Sequence, residues 1–332
     1  MDSTDSTPNE SATSADCTMI VLGGNAFARP GEPLTMAGQF EFAESLFRRL
    51  TPLFESGRRI VITHGNGPQV GQMLTRVEAA LGEAYALPLE VCVAESEGEL
   101  GYVLQQSLLN VLREHGLERP IVSVLTQVLV DESDPAFDNP SKPVGVFYSS
   151  EQAKQLREQG FILREDAGRG FRRVVPSPEP KSVIEAQVIR QLIDTGVIVV
   201  AAGGGGIPVV ERDGRLVGVE AVIDKDHAST LLAESIDADE MLIVTGVPFA
   251  YRNFGAVDQQ PIRCVSPDAA ETLIHEGHFA AGSMLPKMEA AIRFARRPGC
   301  RAVICDINTL TEAAAGRSGT IIDQTADDGA HE

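Results

Sequence analysis

The chain has 332 residues (35.5 kDa), 43% of them hydrophobic and 23% charged, with no Trp. That length and composition exclude a fibrous, collagen-like or wholly disordered chain, and one globule of this size buries about three quarters of its unfolded surface. The formal net charge of -19 excludes nucleic acid and anionic lipid as electrostatic partners, because both need a basic face. Apolar runs such as residues 197–202 fall far short of the roughly 18 residues that cross a bilayer. The start MDSTDSTPNESATSAD lacks the basic and apolar segments of a secretory signal, so a cytoplasmic location is expected.

Five cysteines (Cys17, Cys92, Cys264, Cys300 and Cys305) contain no C-x-x-C pair, which predicts reduced thiols and neither a disulfide framework nor a zinc site. Cationic residues comprise 23 Arg and five Lys: Lys142, Lys154, Lys181, Lys225 and Lys287. An acidic, lysine-poor surface is what concentrated salt tolerates, and salt adaptation is expected on that ground.

Past an acidic tail over 1–17, expected to be disordered, short β-branched runs alternate with longer amphipathic stretches, the pattern of β-α units feeding a parallel sheet. Strands are predicted at 18–22, 59–63, 120–125, 197–202, 241–245 and 302–305. Helices are predicted at 36–56, 68–81, 96–115, 181–194, 226–235 and 283–296. In 96–115 the residues Leu100, Val103, Leu104, Leu108, Val111 and Leu112 recur at three and four positions, giving one sheet-facing stripe. Residues from about 128 to 178 break the pattern, with strands at 161–164 and 171–175 around a glycine-bearing turn. They read as a small inserted lobe able to act as a lid. The end, 324–332, is a second acidic tail.

Glycine clusters follow predicted strands: Gly23-Gly24-Asn25 after the first, Gly65-Asn66-Gly67 after the second, and Gly203, Gly204, Gly205 and Gly206 after the fourth. Carboxyl ends of parallel strands share one sheet edge, so these turns converge on one crevice. There glycine lets backbone N–H groups approach an anion, which points to a phosphate site, although each pair taken alone is also an ordinary tight turn. The P-loop pattern is absent, and HGNGPQVG does not have dinucleotide spacing. Positive charge must come from elsewhere. Lys142 in NPSKPVGVFY, Lys225 in VIDKDHAS and Lys287 in GSMLPKMEAA are candidates for neutralising phosphoryl oxygens, with surface lysines as the plainer alternative.

Leu22-GGNA, THGNGPQVG from Thr63, DPAFDNPSKPVGVFY from Asp134, EDAGRGFRRVVPSP from Glu165, AAGGGGIPVV from Ala201, AVIDKDHAS from Ala221 and GSMLPKMEAA from Gly282 together resemble the carbamate kinases of the amino-acid kinase family, from about residue 18 to 323. The resemblance implies an α/β fold: a three-layer αβα sandwich on a mainly parallel, about eight-stranded open sheet with a protruding inserted subdomain. It also implies a homodimer. It implies reversible phosphoryl transfer between ATP and carbamate, giving ADP and carbamoyl phosphate with Mg²⁺, running towards ATP in arginine or agmatine catabolism. On this sequence Gly23, Gly24, Asn25, Gly65, Asn66 and Gly67 would hold the transferring and carbamoyl groups. Lys225 and Lys287 would neutralise phosphate charge, Asp226 would orient them, and Lys142 would reach from the lobe. Gly203 to Gly206 would border the nucleotide phosphates, and residues 247–254, with Tyr251 and Phe254, together with Met284 would line the adenine side. Mg²⁺ would bind through phosphates, with Asp226 a possible ligand. Gly246, where the family commonly has an acidic residue, and Arg252 depart from the pattern and bear on nucleotide contacts.

Other residues have plainer readings. His64 is expected to bond its own loop, His227 to start a helix, and Asp131, Glu132, Asp134 and Asp138 to form a solvated loop. Asp306, Asn308 and Thr309 are expected to cap a helix. Two other functions stay open: a different acyl-phosphate or nucleotide kinase of the same family, and a catalytically silent nucleotide-binding homologue.

Overall fold

The computed structural model describes residues 16–24, 34–80, 82–165 and 170–326; the predicted site residue Asn25 and most of both predicted tails lie outside them. In chain order the elements are β1 (Cys17–Leu22), α1 (Met36–Arg49), α2 (Thr51–Glu55), β2 (Arg59–His64), α3 (Gly67–Ala79), α4 (Leu89–Glu114), β3 (Ile121–Ser123), β4 (Gln127–Val130), β5 (Lys142–Tyr148), α5 (Ser150–Glu158), β6 (Leu163–Glu165), β7 (Phe171–Val175) and β8 (Pro180–Val183). There follow α6 (Ala186–Asp194), β9 (Ile198–Val200), β10 (Ile207–Arg212), β11 (Arg215–Gly218), α7 (Lys225–Ser235), β12 (Glu240–Thr245), β13 (Ala250–Arg252), β14 (Gln260–Ile262), β15 (Cys264–Val265), α8 (Pro267–His275), α9 (Met284–Ala295), β16 (Arg301–Asp306), α10 (Leu310–Ala314) and β17 (Thr320–Asp323).

An eight-stranded sheet runs β15-β17-β16-β12-β1-β2-β9-β3 and is parallel except where β17 pairs antiparallel with β16. The six residues of β1 are all buried, because a parallel strand inside such a sheet is covered on both faces. Alternation sorts its side chains. Met19 and Val21 join Val61, Met241, Ile243 and Ile304 in a core shared with α6, α7, α8 and α9, while Ile20 and Leu22 join Ile60, Ile62, Leu242 and Val303 in a core shared with α1, α4 and α10. These two cores on opposite sheet faces are the three-layer αβα arrangement that the sequence implies.

Residues 142–175 depart from this plan. β5, β7 and β6 form a small antiparallel sheet, with α5 packed on it through Ala153. This lobe rests on α3, where Tyr148 donates to Glu78 Oε1 at 2.8 Å. β4 and β8 belong to a separate four-stranded sheet, β11-β10-β4-β8.

Several boundaries differ from the sequence reading. The helix predicted over 36–56 ends at Arg49, and Pro52 sits in the first turn of a second short helix, where its missing N–H costs nothing. Residues 181–183, predicted as the start of a helix, belong to β8, which runs antiparallel to β4, a pairing that only a distant strand supplies. The helix predicted from Ser96 begins at Leu89, because Leu89, Cys92 and Val93 pack under the lobe with Val70, Met73 and Val144 rather than on the sheet.

Candidate active site

The carboxyl ends of β1, β2 and β12 meet along one edge. Gly23 N–H donates to Val244 O at 3.0 Å and Gly65 N–H to Leu22 O at 2.9 Å, so the two glycine turns are anchored to neighbouring strands. They approach so closely that a Cβ on Gly65 would lie 2.6 Å from Gly24 N and 2.7 Å from its Cα. Only glycine permits that contact between backbones. The turns open onto a cavity of about 1000 Å³ lined by Gly23, Gly24, Gly65, Asn66, Gly67 and Gly204 together with Lys142, Lys225, Asp226 and Lys287.

The ammonium groups are held by two carboxylates. Lys225 opens α7, and its Nζ donates to Asp226 Oδ1 at 2.5 Å; Lys287, in the first turn of α9, donates to Asp226 Oδ2 at 3.1 Å and to Ser283 O at 3.3 Å. From the lobe, Lys142 Nζ donates to Asp224 Oδ2 at 2.6 Å, while Asp224 Oδ1 caps α7 by accepting Asp226 N–H at 2.9 Å. Burial pushes the Asp226 carboxyl up, but the Lys225 and Lys287 charges outweigh it and hold the group below its ordinary value. Burial lowers the Lys225 pKa and Lys287 lowers it further, against the pull of Asp226. For Asp224 burial is likewise outweighed, by the charge and hydrogen bond of Lys142, and the carboxyl is held far below its usual range. Three ammonium groups against two carboxylates leave one positive charge on the cavity wall, and buried excess charge of this kind is relieved by an anion.

Tyr251, Phe254 and Met284 line the same cavity, as do Thr245, Gly246 and Val247. Tyr251 and Phe254 lie 5.8 Å apart between ring centroids, and Phe254 is 63% exposed. A Cβ at Gly246 would meet nothing within 4 Å, so the departure there leaves open space rather than a blocked wall. Arg252 lies on β13 but not among the residues lining the cavity.

The four-glycine run differs from its expected placement. All four are buried, and Gly204 also lines the cavity. Their missing side chains leave room for protein atoms: an ideal Cβ would fall 2.6 Å from the His64 ring at Gly203, 2.5 Å from Ile223 O at Gly205 and 2.4 Å from Val128 Cγ2 at Gly206. At Gly204 it would fall 1.9 Å from Asn66 Nδ2, so all four serve close packing beneath the site.

His64 is buried with Nδ1 3.2 Å from Gly65 O, and burial pushes its pKa down to about 4, so the ring is neutral at physiological pH. His227 lies near the start of α7 with Nδ1 2.9 Å from Glu179 Oε2. Asp131 bonds Lys181 and Ser133, Glu132 pairs with Arg212, and Asp134 accepts Ala136 N–H. Asp306 accepts Thr309 N–H at 2.8 Å at the start of α10. Among the described residues no cluster of His, Cys, Asp or Glu could hold a metal ion. The four carboxylate oxygens of Asp224 and Asp226 each already accept a hydrogen bond, so this donor set does not fit a protein-held Mg²⁺. The sequence reading passed over Ser96, Glu97 and Thr126, which lie buried directly beneath the glycine turns.

The chain matches the model of the amino acid kinase family over residues 16–306. A carbamate kinase of Pyrococcus horikoshii is 46% identical over 305 residues, covering 91% of this chain and 97% of that one. The carbamate kinase-like protein YqeA of Escherichia coli is 46% identical over 310 residues, covering 92% and 98%. Among solved structures, carbamate kinase from Giardia lamblia bound to AMP-PNP superposes with a TM-score of 0.88 at 40% identity, covering 94% of this chain and 99% of that one.

Proposed function

Since the chain belongs to the amino acid kinase family, we propose that it is a carbamate kinase, an ATP:carbamate phosphotransferase interconverting ATP plus carbamate with ADP plus carbamoyl phosphate. One observation carries the reading above all. Lys225 and Lys287 converge on the single buried carboxylate of Asp226, beside two backbone turns that touch through glycine. Phosphoryl transfer needs reactants in line and charge spread over equatorial oxygens neutralised, with little covalent help from the protein. The two ammonium groups, fixed before substrate arrives, supply that neutralisation with no reorganisation at the moment of transfer.

The remaining residues take roles that follow from position. The backbone turns at Gly23, Gly24, Gly65 and Gly67 border the transferring group, with the Gly23 and Gly65 N–H groups holding the turns to Val244 O and Leu22 O, and Asn66 is fixed by donating to Ser96 Oγ at 2.7 Å. Carbamate carries its nucleophilic oxygen already ionised, so no general base is needed and the neutral His64 is no obstacle. Lys142 contacts the carbamoyl end from the lobe, and the lobe excludes the water that would hydrolyse an acyl phosphate. Gly204 borders the nucleotide phosphates; Tyr251, Phe254 and Met284 hold the base. Mg²⁺, when present, supplies charge neutralisation on the nucleotide's own phosphates and arrives with them, since Mg²⁺ commonly keeps few protein ligands.

An acyl phosphate transfers its phosphoryl group more readily than ATP does, so the favoured direction is towards ATP. On the resemblance, the working form is a homodimer, and light scattering that returned the monomer mass of 35.5 kDa would contradict this. The reaction is tested by supplying ATP with carbamate, acetate, N-acetylglutamate or UMP and measuring ADP. The account expects release with carbamate; comparable turnover of a larger acceptor would point to another kinase of the family. Binding of ADP without ATP formation from carbamoyl phosphate would point to a silent homologue.

A further inference from the structure

Helix α4 carries two adjacent polar residues, Ser96 and Glu97, that are both buried. The Ser96 hydroxyl donates to Val93 O at 2.6 Å while accepting from Asn66, so it ties the β2 turn to α4. Glu97, 3% exposed, accepts Thr126 N–H on Oε2 at 2.8 Å, and its Oε1 is buried with no hydrogen-bond partner. Thr126 continues the chain of contacts: Oγ1 accepts Ala202 N–H at 2.8 Å and donates to Val124 O at 2.8 Å, and its carbonyl accepts Ile207 N–H at 2.8 Å. Ala202 and Ile207 bracket the four-glycine run. Ala202 holds φ +49°, the left-handed region that a residue with a Cβ avoids unless its surroundings impose it.

We propose that Glu97 is a positioning residue for phosphoryl transfer: as a neutral carboxylic acid it anchors Thr126, which fixes the left-handed turn at Ala202 and so sets Gly204 on the cavity wall. Packing leaves the loop little alternative, because an ideal Cβ on Gly203 would lie 3.0 Å from Glu97 Cγ and 2.6 Å from the His64 ring. An ionised carboxylate with one bare oxygen in a dry site costs far more than the protonated acid. The titratable groups around Glu97 add no cation. The His64 imidazole on β2 is neutral, and Glu185, whose oxygens accept both nitrogens of Gln127, is an acid. Burial raises the Glu97 pKa well above its ordinary value, and the charge of Glu185 raises it further against the bond from Thr126.

The kinetic arm of the test rests on the carbamate kinase reading; the stability arm needs no substrate. The full chain and its Glu97→Gln and Glu97→Ala variants are melted without substrate from pH 5 to pH 8, and kcat and KM for ADP are measured with carbamoyl phosphate. A carboxyl whose folded pKa is raised stabilises fully below its unfolded pKa and loses that contribution as pH rises towards the folded value. Glutamine has no such loss. The Glu97→Gln chain therefore gains Tm over the parent as pH rises, by about 2 °C per pH unit, and keeps kcat within about twofold. Glu97→Ala loses the Thr126 anchor, and its kcat falls about tenfold or more with a smaller change in KM.

A Tm difference between parent and Glu97→Gln that stays flat across this range overturns the neutral acid. A folded Glu97→Ala chain with the parent kcat overturns the positioning role, as does a Glu97→Gln chain as impaired as Glu97→Ala. If Glu97→Ala does not fold, the pH-resolved Tm of Glu97→Gln decides the matter. If the parent itself makes no ATP, the kinase reading fails while the stability arm still reports on Glu97.

Discussion

Positive charge reaches the cavity by two routes built differently. Lys225 and Lys287 rise from the first turns of two helices packed on the central sheet, share one carboxylate, and have side chains only 12% and 13% exposed. Lys142 comes from the inserted lobe, is 35% exposed and pairs with Asp224. The first pair is preorganised, because moving either ammonium group leaves Asp226 partly unpaired in a buried place. The second contact spans two parts of the fold through one ion pair whose lysine is partly open to solvent, so salt and water screen it more than the first. Transition-state charge is thus met by the rigid pair, and substrate capture by the exposed arm.

The largest expected effect lies on the rigid side. Lys225→Ala or Lys287→Ala lowers kcat by about two to four orders of magnitude, the size of a transition-state charge contact; steady-state assays that retained more than about a tenth of the rate would remove that assignment. Next comes the glycine contact. Gly65→Ala places a methyl against the Gly24 backbone at 2.6 Å, and since backbone cannot rotate away, the two turns must separate. A fall in kcat of about a hundredfold is expected from such a misplacement, and a crystal structure of the variant with unmoved turns would contradict the cause.

The smallest effect belongs to the lobe. Lys142→Ala raises the KM for carbamoyl phosphate several-fold, with at most about a tenfold loss of kcat, and unchanged values of both would refute the lobe contact. Salt sharpens the contrast. In molar KCl the Debye length falls to about 3 Å, so the penalty of Lys142→Ala shrinks while that of Lys287→Ala persists. Under the same conditions the Tm of the parent, with its net charge of -19, rises as self-repulsion is screened; a Tm that did not rise would argue against salt adaptation.

The central sheet and its glycine turns were legible because both depend on local pattern: alternating β-branched runs, then glycine where a strand ends. The lysines stood out because the chain otherwise uses arginine. Less was legible where a partner lies far along the chain. β8 looks helical until β4 is beside it, and the burial of Leu89, Cys92 and Val93 depends on a lobe packed over α3. The same limit hid Glu97: a polar residue within an apolar helix face becomes meaningful only when Thr126 and the glycine run are seen against it. Nor could four consecutive glycines reveal that they make room for His64, Asn66, Ile223 and Val128 in turn while Gly204 also faces the cavity.

The most direct measurement follows phosphorus itself. Carbamoyl phosphate and ADP are mixed with the parent chain, and with Lys287→Ala, while ³¹P resonance tracks the acyl phosphate and the γ-phosphate of ATP. The account predicts stoichiometric appearance of ATP with the parent and a rate at least about a hundredfold lower with Lys287→Ala. Loss of carbamoyl phosphate to inorganic phosphate without ATP, or equal rates from the two proteins, would contradict it.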